Sequence, residues 1–157
     1  MQKQGDSKQK YMIIMLGGLE YGVPLFEVKE VISLPPVVPV PGSPDYLIGM
    51  INLRGKVVSI VDLCLKVKIK KHDGPAKNKV VIITEIEGLH LGCLVDGVKE
   101  IISIKESDIE KNVDVKIAGS KDFCLGMAKF EDRALILLLD LRRATDLSEL
   151  VKYKEAA

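Results

Sequence analysis

The 157-residue chain has no tryptophan, and aromatic residues make up only 4% of it. A single-strand nucleic-acid binder built on stacking platforms needs more aromatic faces than that. Charge of one sign is missing as well. The 23 Lys and Arg against 22 Asp and Glu leave a formal net charge of +1, too little to hold nucleic acid or an anionic membrane by field alone. Cysteines are few and scattered: Cys64, Cys93 and Cys124 form no C-x-x-C, which reads as reduced, cytosolic thiols. The two histidines, His72 and His90, make no ligand-spaced cluster with them, so neither a metal nor a cofactor is expected. No apolar run reaches the roughly 18 residues of a membrane span. The segment Met1–Lys10, MQKQGDSKQK, lacks the apolar stretch of a signal peptide and reads as a disordered tail.

Catalytic patterns are missing too. No G-x-x-x-x-G-K-[ST] or G-x-G-x-x-G cradles a phosphate, and Ser59 lies in no G-x-S-x-G elbow and has no histidine near it in sequence. Asp62 and Asp140 end similar segments, where an aspartate serves as a helix N-cap. Lys66, Lys68, Lys70 and Lys71 form a short basic run without aromatics, a solvated loop rather than a nucleic-acid patch. No catalytic residue is assigned, and a non-enzymatic protein is expected.

What the chain does have is many short β-branched runs. YMIIMLGGLEYGVPL, from Tyr11 to Leu25, reads as a hairpin about Gly17–Gly18. Leu25, Val28 and Ile32 then fall at three-to-four spacing, which predicts a short helix entered at Pro24, with Val28, Val31 and Ile32 on it. The segment 33–44, SLPPVVPVPGSP, holds five of the seven prolines. Each removes a ladder donor, so this stretch is a stiff extended connector, not a central strand. Further strands are expected around turns at Arg54–Gly55, Glu87–Gly88 and Glu131–Asp132, with a helical turn near 105–114. A C-terminal helix is expected over 145–155, capped by Thr145 or Asp146.

The chain also repeats itself. EYGVPLFEVKEVI resembles HLGCLVDGVKEII, with Gly22 against Gly92 and Val28-Lys29-Glu30 against Val98-Lys99-Glu100. GMINLRGKVVSIVDL resembles GMAKFEDRALILLLDL, with Gly49-Met50 against Gly126-Met127 and Asp62-Leu63 against Asp140-Leu141. Two blocks, about 19–70 and 79–141, therefore predict two similar small β-modules. Runs such as VVSIV and ALILLL lack alternation, as strands buried on both faces do. The second face of each module is expected to pack on the other.

One stretch asks for more than a hairpin. In INLRGKVVSIVDL a turn explains Gly55 but does not require Arg54, whose planar fork suits a carboxylate. This motif, with YGVPLFEVKEVI, LGCLVDGVKEI and EDRALILLLDL, resembles the CheW family of bacterial chemotaxis coupling proteins over about 11–150. The resemblance implies an all-β single domain of two SH3-like five-stranded β-barrels around a shared core. It also implies an adaptor that joins the cytoplasmic signalling tip of a chemoreceptor to the regulatory domain of the histidine kinase CheA, staying cytoplasmic beside membrane receptor arrays, with ring-forming contacts possible there. A type IV pilus or other chemosensory pathway is the alternative setting. The residues carried over to the receptor-binding surface are Val28, Glu30, Gly49, Asn52 and Arg54, with Glu30 and Arg54 as an ion pair and Asn52 supporting the turn. Apolar residues such as Val37 and Val38 would suit the kinase-facing end. Two positions depart from the family pattern: Ser59 stands where Pro is usual, and Cys64 where a basic residue is common.

Overall fold

Gly17 and Gly18 turn the first two strands, β1 (Lys8–Leu16) and β2 (Leu19–Pro24), into a hairpin. In this computed structural model, residues 7–69, 79–111, 123–132 and 135–145 are described. Pairing begins at Lys8, inside the segment expected to be a tail; residues 1–6 lie outside the described residues.

After Pro24 the chain makes one 3-10 turn, Leu25–Glu27, and then strand β3 (Glu30–Ser33). The expected short helix is therefore a correction. A short apolar run carries little periodicity, and the β-branched Val28, Val31 and Ile32 favour extended backbone. The Lys29 amide donates to the Ile83 carbonyl at 2.8 Å, and β3 continues that ladder. The proline-rich connector follows, touching the sheet at Val38 and Met50, which exchange backbone hydrogen bonds of 2.9 and 2.8 Å.

The remaining elements are β4 (Leu47–Leu53), β5 (Lys56–Asp62), helix α1 (Leu63–Lys66), β6 (Val80–Ile86), β7 (Leu89–Val95) and β8 (Gly97–Lys105). A 3-10 turn at Glu106–Asp108 then leads to β9 (Ile109–Glu110), β10 (Cys124–Ala128), β11 (Ile136–Leu139) and helix α2 (Leu141–Thr145). Asp62 caps α1 by accepting from the Leu65 amide at 3.3 Å, and Asp140 caps α2 by accepting from the Arg142 amide at 3.0 Å. Thr145 thus lies within α2 rather than ahead of it, its hydroxyl donating to the Leu141 carbonyl at 2.7 Å. The expected helix over 145–155 otherwise lies outside the described residues.

The strands form a six-stranded sheet, β8-β1-β2-β11-β10-β9, and a five-stranded sheet, β3-β6-β7-β5-β4. The protein is mainly β, with two SH3-like units, but the sheets are open rather than two closed five-stranded barrels. Nor do the sheets divide at the repeat boundaries. The β1–β2 hairpin joins strands from the second half of the chain, and the β6–β7 hairpin joins strands from the first half. Both sheets are nonetheless built alike. Gly22 of β2 lies parallel to Leu138 of β11, and Gly92 of β7 lies parallel to Ile60 of β5. A Cβ on either glycine would come within 2.7 Å of its partner's side chain, so the repeat preserves a close strand approach.

Burial on both strand faces follows from this arrangement. Tyr11 and Ile13 of β1 pack inside the six-stranded sheet with Ile102 and Leu138. The alternate residues Met12, Ile14 and Leu16 pack between the sheets with Ile82, Cys93 and Val95. Val58, Ile60, Val81 and Ile83 fill the five-stranded sheet. Ile13 and Ile14 are both wholly inaccessible, and each such side chain stabilises by roughly 1.5–3 kcal/mol. The shared layer therefore contributes on the same scale, residue for residue, as either unit's own interior.

Candidate functional site

The β4–β5 hairpin turns on two residues, Arg54 and Gly55, at φ of 49° and 84°. Two positive φ values match the strand twist, and glycine accepts one at no cost. Asn52 Oδ1 accepts the Gly55 N–H at 2.9 Å and so fixes the turn from its exposed position.

The Arg54 guanidinium forks onto Glu30 of β3. Nη1 donates to Oε1 at 3.3 Å, and Nη2 donates to Oε2. Strands β3 and β4 are the two edges of the five-stranded sheet, so this pair spans the sheet's open seam. The hydrogen bond to Glu30, and then its charge, hold the guanidinium proton more firmly than usual. With the Arg54 side chain 70% exposed, the pair sets geometry more than it stabilises.

Glu30, Asn52 and Arg54 are thus brought together. Val28 lies at the entry to β3, where its amide closes the 3-10 turn on the Leu25 carbonyl at 3.0 Å while its side chain packs partly on the shared core. Gly49 is buried beneath the connector, and a Cβ there would stand 2.3 Å from the Val38 carbonyl oxygen. Its effect on any surface is therefore indirect: it lets the connector lie down. Val38 is 70% exposed while Val37 packs on the interior of the five-stranded sheet, so of the two only Val38 is fully displayed.

Sequence reasoning missed several residues beside this site. Phe26 is 73% exposed, and Val31 and Leu34 project from the β3 segment. The signal for Phe26 was its rarity, since the chain has three phenylalanines. Val31 was misplaced with the helix. Its register partner Ile82 belongs to the shared layer, so Val31 marks the point where that layer reaches solvent. The arrangement is an apolar edge bordered by a rigid charged fork, suited to binding. Among the described residues, no group of three or more His, Cys, Asp or Glu is placed to hold a metal, and no helix is long and apolar enough to cross a membrane.

Glu27, at the end of the 3-10 turn, was also missed. Burial, helped by the charge of Asp140, pushes its carboxyl from 4.5 up to about 7, against the opposing pull of the Leu141 amide and Arg142. The folded chain therefore binds this proton more tightly than the unfolded chain. Folding takes up a proton between those values, and stability falls as pH rises through that window. Glu27→Gln removes the effect. After discounting for partial exposure, the variant is expected to be more stable than the parent by on the order of 1 kcal/mol above neutral pH. The gain is expected to disappear at acidic pH, as denaturant midpoints on both sides of the window would read out.

Comparison with known proteins gives one consistent answer. A CheW-like domain matches residues 10–149. The chain is 31% identical over 123 residues to the chemotaxis protein CheW of Rhizobium meliloti, covering 78% of this chain and 79% of that one. It is 32% identical over 115 residues to the Thermotoga maritima protein of the same name, covering 73% and 72%. The crystal structure of the scaffolding protein TtCheW from Thermoanaerobacter tengcongensis superposes with a TM-score of 0.80 at 33% identity, covering 89% of this chain and 94% of that one.

Proposed function

Since the chain belongs to the CheW-like domain family, we propose that it is a chemotaxis adaptor, a non-enzymatic scaffold that couples a chemoreceptor to a histidine kinase. The receptor's cytoplasmic tip docks at the edge formed by Val28, Val31 and the Glu30–Arg54 fork. The regulatory domain of CheA docks at a separate end of the molecule, near the connector with its exposed Val38. The protein works in the cytoplasm against the membrane-bound receptor array, where further contacts between adaptors and kinases extend the lattice.

The observation that carries this reading is the fork across the seam. A solvated turn needs no arginine, yet Arg54 accepts a left-handed backbone and reaches another strand to meet a carboxylate. A docking helix would find its apolar anchors on Val28 and Val31 and its register set by the fork.

The test is Arg54→Glu, titrated by calorimetry against a receptor-tip fragment and, separately, against the kinase regulatory domain. Reversing the charge sets two carboxylates against each other at the seam, while leaving the core untouched. Receptor affinity is expected to fall by at least about tenfold, the scale of losing a charged hydrogen-bonded pair. Kinase affinity and thermal midpoint are expected to hold. Loss of the folded state would make the arginine structural and end the docking reading.

A further inference from the structure

Beside the 3-10 turn lies a cavity of about 660 Å³, bounded by β1, the end of β6, the β9–β10 side of the six-stranded sheet and the start of α2. We propose that this cavity is a binding pocket for a basic side chain, an arginine or lysine presented by a protein partner, with Glu27 as its anchor. The inference does not depend on the adaptor reading.

The first support is an orphan atom. Glu27 Oε2 is shut off from solvent and has no hydrogen-bond partner among the described residues. A buried acceptor without a donor is costly, and the cost grows with charge. Burial likewise pushes the carboxyl up to about 7, while the Leu141 amide opposes the shift. A donor entering the cavity would satisfy that oxygen once the carboxylate turns to meet it.

The second support is the chemistry of the walls. Glu27, Glu85 and Asp140 line the cavity against Lys111 and Arg142, so carboxylates outnumber cations. Arg142 acts on Glu27 through its field, but no ion pair joins the two among the described residues. Cys93, buried in the layer between the sheets, is pushed up to about 12 by its own burial and by the Glu27 charge, and stays a neutral thiol. Glu85 is met by Lys29 at 4.0 Å and Asp140 by Arg143 at 3.5 Å, so Glu27 is the wall carboxylate left without an ion-pair partner among the described residues.

The third support is shape. Pro24, Ile86 and Leu125 give the cavity apolar sides that suit a methylene stem. Phe26, largely exposed at the rim, offers a face on which a guanidinium can stack. A bare divalent cation fits poorly: it wants several oxygen ligands at once, and among the described residues no three acids stand together to hold one.

The test uses two blocked tripeptides, acetyl-Gly-Arg-Gly-amide and the same peptide with citrulline, titrated into the isotope-labelled full chain by NMR. Citrulline keeps the shape and removes the charge. Saturable shifts are expected at the amides of Phe26, Glu27, Glu85 and Arg142 with the arginine peptide, weaker by about tenfold or more with citrulline. Glu27→Gln is expected to weaken arginine binding to the citrulline level. Binding of the arginine peptide is expected to tighten from about pH 6 to pH 8 as Glu27 ionises. Equal binding of the two peptides, shifts centred elsewhere, or no binding up to tens of millimolar would each overturn the proposal.

Discussion

Cut between Ile69 and Lys79, the two halves of the chain are each expected to fail to fold alone and to recover a cooperative transition when co-expressed. The reason lies in which strands pair. Among the described strands, the partners within the first half are β1–β2 and β4–β5, and those within the second are β6–β7 and the β9–β10–β11 group. The pairings β1–β8, β2–β11, β3–β6 and β5–β7 all cross the cut. A lone two-stranded hairpin is marginal in water at best. Each isolated half would also expose the shared layer, where Ile14, Leu16, Ile82 and Cys93 are essentially inaccessible in the whole chain. Circular dichroism melts of each half and of the purified pair would decide. A half that melts cooperatively alone has closed its own hairpin onto its own strands, and the exchange seen here would not be needed for folding.

The second large effect is at Gly49. Gly49→Val is expected to destabilise the fold by about 2–6 kcal/mol, combining overpacking and a strained backbone at roughly 1–3 kcal/mol each. At φ 152° a side chain is strained, and the new Cβ would meet the Val38 carbonyl oxygen at 2.3 Å and the Val37 side chain at 2.6 Å. The obstacle on the backbone side cannot rotate away, so the Val38–Met50 bridge must open. Gly55 is the control. It also has positive φ, at 84°, but nothing lies within 4 Å of a Cβ there, so Gly55→Ala bears backbone strain alone, about 1 kcal/mol. Denaturant melts of the two variants compare a close approach with a turn. Equal losses would mean that the connector is not seated on β4.

The sequence disclosed these features unevenly. Glycine-marked turns and doubly apolar strands were legible because each leaves a local signature: Gly17–Gly18, Arg54–Gly55 and Glu87–Gly88 all sit where the chain reverses. The repeat was legible, but its meaning was not. Matching Gly22 to Gly92 says that two places are alike, while nothing in either block says that β2 will lie beside β11 rather than β5. That choice is long-range. The helix expected through Val28 and Ile32 failed because a few residues at three-to-four spacing also fit an edge strand, and the ladder to Ile83 decided the matter. Glu30 and Arg54, 24 positions apart, meet only because the sheet curls until its edges face one another; the family resemblance, not the spacing, pointed to them. Glu27 was invisible, since a lone acid between apolar neighbours reads as the solvent-facing position of its segment.

The most direct measurement is co-sedimentation of three components: receptor-bearing membranes, the soluble kinase regulatory domain and this chain. The kinase domain is expected to pellet with the membranes only when the chain is added, and Arg54→Glu is expected to leave it in the supernatant. If the kinase domain pellets equally well without the chain, or stays soluble with it, the chain is not the bridge.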